Sequence, residues 1–336
     1  VFDVDFGGKK PWVLNRPELW FLQPTTLQPG LDVNQAPPGA EVQIVGKNVA
    51  VGKPDLSLCA TSGNRVTLAL VKAEPFSLIA RLPANLAPGA YKLSVGGEAA
   101  WSEPLPVEIK QPDVWPTKIF NVRDFGAKGD DVTDDTRAVR EALAAAEKNG
   151  GGVVQFPWGT YRLSDWICIP PRTVVRGESR DSTTLKWPVD EPASATNFTA
   201  SAIIGVAPYA LEDVTVIVRK TETALLDMSW EHIYARNVPP ELLPKMKPFG
   251  EFRDVFVRRV FFQHWLQCGH PERQPELAKK YWEGAYNVRV GGVRNFEISD
   301  CVLWGANNYF ANCRNARMTG NAVANSILAA RAGVRQ

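Results

Sequence analysis

The sequence has little to offer metal or redox chemistry. Its 336 residues include five Cys, three His and three Met. Cys59, Cys168, Cys268, Cys301 and Cys313 form no C-x-x-C and no paired spacing, so a metal knuckle is not expected. An odd count leaves at least one thiol free, and buried thiols acting as small hydrophobes are the expected state. An excess of one charge is also missing: 38 Lys and Arg face 36 Asp and Glu, for a net charge of +2. That balance argues against a dedicated nucleic-acid binder, and 45% hydrophobic content argues against disorder. No window approaches the ~18 uninterrupted apolar residues that span a bilayer. No phosphate loop or dinucleotide fingerprint occurs. The chain opens at Val1, without Met and without a basic-then-apolar leader. This is expected of a removed leader or of a start inside a longer protein.

Turn formers and tryptophan are abundant. The 26 Gly and 26 Pro predict many turns between short strands, and 11 Trp is a high count. Residues 1–22 have no clear assignment. Across 23–112, alternating apolar residues (Val42/Ile44, Val66/Leu68/Leu70, Leu78/Ala80/Leu82, Tyr91/Leu93/Val95, Val107/Ile109) are separated by Pro-Gly or Gly-Gly turns. This spacing predicts a small β-sandwich. The stretch LPANLAPGAYKLSV resembles the late strands of immunoglobulin-like TIG-type modules. Residues 113–118 fall in a polar, Pro-interrupted linker.

From Phe120 to Asp165 the chain reads strand, turn, helix, turn, strand. Asp134 or Asp135 is placed to cap the helix by accepting its first free N–H groups. Val139, Ala142, Leu143 and Ala146 form one apolar stripe, and Gly150 to Gly152 ends the helix. The pattern NV.DFGAKGD..TDDT…GGG.V.FP.GTY, from Asn121 to Tyr161, resembles the start of right-handed parallel β-helix proteins of the pectate lyase superfamily. The nearest groups are rhamnogalacturonase/epimerase-like and polygalacturonase-like proteins and phage tailspikes. The resemblance implies an all-β fold: a right-handed parallel β-helix over 119–336 with an N-terminal capping α-helix, preceded by the immunoglobulin-like β-sandwich. In that reading Asp130, Asp134 and Asp135 are structural.

Repeats support a solenoid. Asp213-Val214-Thr215-Val216 recurs at 254–257, 295–298 and 315–318, at offsets of 41, 41 and 20. Each unit opens on a turn-forming Asp or Asn, and the two following alternate positions are expected to stack inside. Thr173 to Gly177 and Ala202 to Gly205 read as earlier rungs. Glu297 and Arg317 are expected to form a surface ion pair on successive rungs.

Two excursions break the repeat, between Arg219 and Glu251 and between Gln263 and Val288. They are expected to leave after the same strand and to frame one groove. They hold all three His residues and many aromatics and acids. Candidate catalytic residues are Asp227, Glu231, His264 and Glu283. Candidate substrate-binding residues are Trp230, Tyr234, Trp265, His270, Trp282, Asn308, Tyr309 and Arg314. Aromatic faces suit sugar rings, and carboxylates or His move protons.

The resemblance implies an extracellular polysaccharide-processing enzyme, secreted, periplasmic or at the cell surface. Glycoside hydrolysis through paired carboxylates is favoured. β-Elimination on a uronate is the alternative, with His264 as base, Arg258 or Arg314 as cation and Ca²⁺ as an optional partner. Otherwise no cofactor and no metal is expected; His232, His264 and His270 match no ligand spacing. The Gly-His-Gly signature of polygalacturonases is absent; Cys268-Gly269-His270 is a faint echo. A non-catalytic glycan-binding module is the competing class. The expected partner is a polysaccharide, not nucleic acid. The coil is expected to continue beyond Gln336.

Overall fold

The computed structural model describes residues 2–4, 12–14, 16–97, 100–187, 199–218, 221–227, 239–245, 252–264, 286–324 and 328–331. The chain divides into two compact units, Val1–Asp113 and Val114–Gln336.

In the first unit a four-stranded antiparallel sheet and a five-stranded sheet enclose one core. Leu22, Val42, Ile44, Leu78 and Ala80 meet Leu56, Leu58, Leu93, Val95 and Val107 there. The alternation along Glu41–Lys47 and Gly89–Gly96 sets which side chains enter it. Strand Glu18–Pro24 pairs with Glu41–Lys47, so the segment left unassigned by its sequence contributes a strand. Leu70, expected inside, is exposed.

In the second unit three parallel sheets run side by side, with seven, seven and six strands. Successive strands of the chain visit the first, second and third sheet in turn. The first sheet includes Gly152–Phe156, Thr173–Gly177, Tyr209–Glu212, Arg253–Arg258, Arg294–Ser299 and Arg314–Thr319. The inward row Val154, Val175, Leu211, Val257 and Ile298 is fully buried. Each rung hides its apolar row only against its neighbours, which makes rungs interdependent.

The register corrects the repeat alignment. Asp213 to Val216 belongs to the turn and strand of the second sheet, whereas Asp254 is the second residue of a strand of the first. The residues that stack are Tyr209, Val255, Phe296 and Ala316, which are 46, 41 and 20 positions apart. Asp213 is equivalent instead to Arg259, Asp300 and Gly320. All four have left-handed backbones, with φ of 57°, 53°, 54° and 65°, at the corner between the first and second sheets. Two families of left-handed corner share one sequence signature, and the offset of 41 merges them.

Helix Thr136–Lys148 buries Val139, Ala142, Leu143 and Ala146, as its periodicity predicts. Its capping differs from expectation. Asp135 occupies the N-cap position but accepts from the backbone N–H groups of Lys128 and Gly129 at 2.7 and 2.9 Å. Asp134 accepts from the Thr136 N–H at 3.0 Å and from the Ser164 hydroxyl at 2.6 Å. Asp130 holds the preceding turn through Val132 and Thr133. All three acids are structural.

Candidate functional site

The two excursions do not leave from one sector. The first lies between strand Thr221–Asp227 of the third sheet and strand Arg253–Arg258 of the first. The second lies between Phe261–His264 of the second sheet and Tyr286–Gly291 of the third. Their roots therefore lie at opposite ends of third-sheet strands, one after Asp227 and one before Tyr286. The described part of the first excursion, 3-10 helix Pro240–Lys245, returns to helix Thr136–Lys148. Leu242 is buried there, and Lys245 Nζ lies 2.6 Å from Glu147 Oε1.

Asp227 and His264 are the last described residues before the excursions, and both are fully buried. Register explains this. Asp227 is two residues past inward Leu225, and His264 aligns with inward Val218. Asn308 aligns with inward Val288 and is likewise buried. All three face the coil interior. Tyr209 joins Asp227 there. A methyl group on Gly205 would collide with the Tyr209 ring, so only glycine admits it. Burial, and then the Asp227 charge, push the Tyr209 phenol well above its usual range.

The outward side of the corner between the second and third sheets is different. Strand Val302–Trp304 ends there and Asn307–Ala311 begins. Trp304 aligns with Gln263, and Tyr309 with Arg289. Trp304, Gln263, Asn307 and Tyr309 are half-buried. The Arg289 guanidinium lies 4.4 Å from the Tyr286 ring centre, and the Tyr286 and Tyr309 rings meet edge-on at 6.3 Å. A cation on an aromatic face contributes about 0.5–2 kcal/mol. The turn at Gly305 has φ 88°, and a side chain there would strike the His264 carbonyl oxygen. The corner therefore passes directly against the root of the second excursion. It offers aromatic surface, amide groups and one nearly buried cation at 1% exposure.

Arg258 and His264 do not form the expected base–cation pair. Arg258 lies on the first sheet, where it bonds Glu297 at 3.0 and 3.1 Å and Glu212 at 3.4 Å. Arg176 completes the ladder on Glu212 at 3.0 Å. Glu297 aligns with Arg317, but it is 3% exposed and its oxygens accept from Arg258 and Ser299, so the expected surface pair is a buried network. Burial lowers the Arg317 pKa, and Glu297 offsets this in part. Arg314 also lies on the first sheet, in a different sheet from Tyr309.

Trp230, Glu231, Tyr234, Trp265, His270, Trp282 and Glu283 lie outside the described residues. Sequence reasoning missed Trp304 and Arg289, and kept Tyr286 only as one aromatic among many. The available signal was the 41-residue offset from Gln263-His264 to Trp304-Gly305. Among the described residues, no three His, Cys, Asp or Glu side chains gather as a metal site.

Residues 119–229 match the family model described as rhamnogalacturonase A/epimerase, pectate lyase-like. Alginate lyase 7 of Azotobacter vinelandii is 60% identical over 45 residues, covering 13% of this chain and 5% of that protein. Mannuronan C5-epimerase AlgE6 of the same organism is 53% identical over 150 residues, covering 42% and 16%. The chain thus spans a small part of the curated relatives it matches. Among solved structures, a family 28 exopolygalacturonase of Yersinia enterocolitica aligns with 13% identity and a TM-score of 0.40, over 93% of this chain and 59% of that one. The A-module of the Azotobacter vinelandii epimerase AlgE4 aligns with 18% identity and a TM-score of 0.33, over 61% and 51%.

Proposed function

We propose that this chain is a polysaccharide-processing enzyme that holds its glycan at the corner between the second and third sheets and acts on uronate units. One observation carries the reading: Arg289, Tyr286 and Tyr309 form a cation–aromatic cluster on the third sheet, at the strands that follow residues 265–285. Rings of this kind suit the flat faces of sugars. A uronate carboxylate acidifies the adjacent C5–H, and a nearby guanidinium stabilises the charge that develops when that proton leaves. Removing this proton is the first step of both β-elimination and C5-epimerisation, the chemistries that the matched alginate lyase and epimerases are named for. The base in this reading comes from the excursions, with His270 the candidate; His264 faces inward. If calcium assists, its ligands would come from the same excursions.

Hydrolysis is the second reading. It is supported by Glu231 and Glu283 in the two excursions; Asp227 faces the coil interior. The N-terminal unit is read as an immunoglobulin-like module, and helix Thr136–Lys148 as the cap of the coil. No described helix is long and apolar enough to cross a membrane; with an extracellular polysaccharide as substrate, the protein would be secreted, periplasmic or surface-bound.

The test is incubation with alginate, polygalacturonate and a neutral glucan in deuterated water. Deuterium at C5 of a uronate, or unsaturated ends formed by loss of the C5 proton and the C4 leaving group, supports proton abstraction. New reducing ends without unsaturation support hydrolysis. Binding without either makes the chain a glycan-binding module and overturns the enzyme reading. Tyr309→Ala should weaken glycan binding by roughly fivefold or more, since it removes one aromatic face.

A further inference from the structure

Away from that corner, the first sheet carries a column of like charges. Arg253 aligns with Arg294, and Arg294 with Arg314, on three consecutive strands. Neighbouring strands of a sheet are ~4.8 Å apart, so the three positions repeat at that spacing along the coil axis. Arg253 is partly buried and pairs with Asp254 at 3.0 Å. Arg294 and Arg314 are exposed, and among the described residues no carboxylate pairs with either. Arg317, half-buried, lies on the same strand as Arg314.

Like charges directly opposite on neighbouring strands are destabilising. Elsewhere on this sheet the chain neutralises its arginines. Arg258 and Arg176 meet Glu212 and Glu297, and Arg259 meets Asp213 at 2.6 Å. The strand starts at Arg294 and Arg314 depart from that rule. They leave cations in single file and open to solvent.

We propose that Arg253, Arg294 and Arg314 form an anion-binding track for a linear acidic polysaccharide, separate from the corner of the proposed active site. A polymer with one carboxylate per sugar, laid along the coil, would meet one cation per rung. Arg294 and Arg314 would each hold a carboxylate through a forked pair of hydrogen bonds, and Arg253, already paired with Asp254, extends the positive column. A nucleic acid fits less well, because it calls for a broad basic surface, and the chain as a whole carries only +2.

The test is affinity electrophoresis of the full chain through gels containing alginate, dextran or single-stranded DNA. Alginate is expected to retard the protein strongly, dextran and DNA much less. Arg294→Gln with Arg314→Gln should weaken alginate retardation on the order of tenfold, because two exposed cations are removed from the track. Circular dichroism and thermal midpoint should match the parent, since both side chains are exposed. A double variant retarded by alginate as strongly as the parent overturns the track. So does equal retardation of the parent by DNA. These binding readouts are independent of turnover, so the track stands or falls apart from the catalytic reading. Should the double variant unfold, Arg294→Lys with Arg314→Lys keeps the charge but not the fork and must still weaken alginate retardation.

Discussion

The side-chain amide of Asn295 donates to the carboxylate of Asp254 one rung away, at 2.5 Å. Asn315 in turn donates to the Asn295 carbonyl oxygen at 3.1 Å. Asp254 and Asn295 are buried, and all three residues have left-handed backbones, with φ of 62°, 59° and 50°. The ladder fastens successive rungs where the chain turns from the third sheet into the first. Asn295→Ala combines a strained φ with the loss of both ladder bonds, each worth about 0.5–1.5 kcal/mol. Asn295→Gly relieves the backbone but does not restore the two bonds. Thermal midpoints should therefore fall in the order parent, Gly variant, Ala variant. An Ala variant as stable as the parent would show the ladder to be idle.

Arg258 separates two nearly buried carboxylates, Glu212 and Glu297. Arg258→Met leaves both without that cation and should destabilise by about 3–5 kcal/mol, the usual result of removing one partner from a buried ionic group. Adding Glu297→Gln to that variant should recover part of the loss. Urea midpoints measure both effects.

The Asp134 carboxyl is governed by opposing influences. Burial pushes its pKa up, but the Ser164 and Thr136 hydroxyls and the Thr136 N–H more than cancel that, and the net value is lowered. A lowered folded pKa stabilises the fold above the ordinary carboxylate value of about 4, and the contribution is lost as pH falls through the folded value. Ser164→Ala should weaken the lowering and narrow the window in which stability falls with acid. Thermal melts from neutral to acid pH, compared with the parent, check this. A pH dependence identical to the parent's would exclude Ser164 from the effect.

Burial pushes the thiols of Cys168, Cys301 and Cys313 up to about 11, 12 and 12. At pH 8 their thiolate fraction is then about one in a thousand or less, and the thiolate is the reactive form. Iodoacetamide should leave all three unmodified in the native protein and modify them in urea. Peptide mass spectrometry reads the outcome, and native labelling of Cys301 would contradict its burial.

Much of the architecture follows from local signals. The apolar stripe of helix Thr136–Lys148 has one burial solution, and Val175, Val257 and Ile298 must enter a coil because their period is two. Left-handed corners favour Asp, Asn and Gly, so the turns are legible as residue types. Those residue types do not say which corner they make, so Asp213 reads as the equal of Asp254 although it sits at a different one. Nor does a sequence say which side of a strand faces inward at its last residue. Asp227, His264 and Asn308 carry the chemistry expected of a groove, yet the alternation of their strands turns them into the interior.

What the sequence determined by itself was the class of fold, through periodicity and turn chemistry that act within a few residues. The tertiary structure alone decided the site. Trp304 meets the root of the second excursion, and Arg289 meets Tyr286 and Tyr309, because rungs far apart in the chain stack at one strand spacing. The same stacking turns Arg253, Arg294 and Arg314, ordinary one at a time, into a single column of charge.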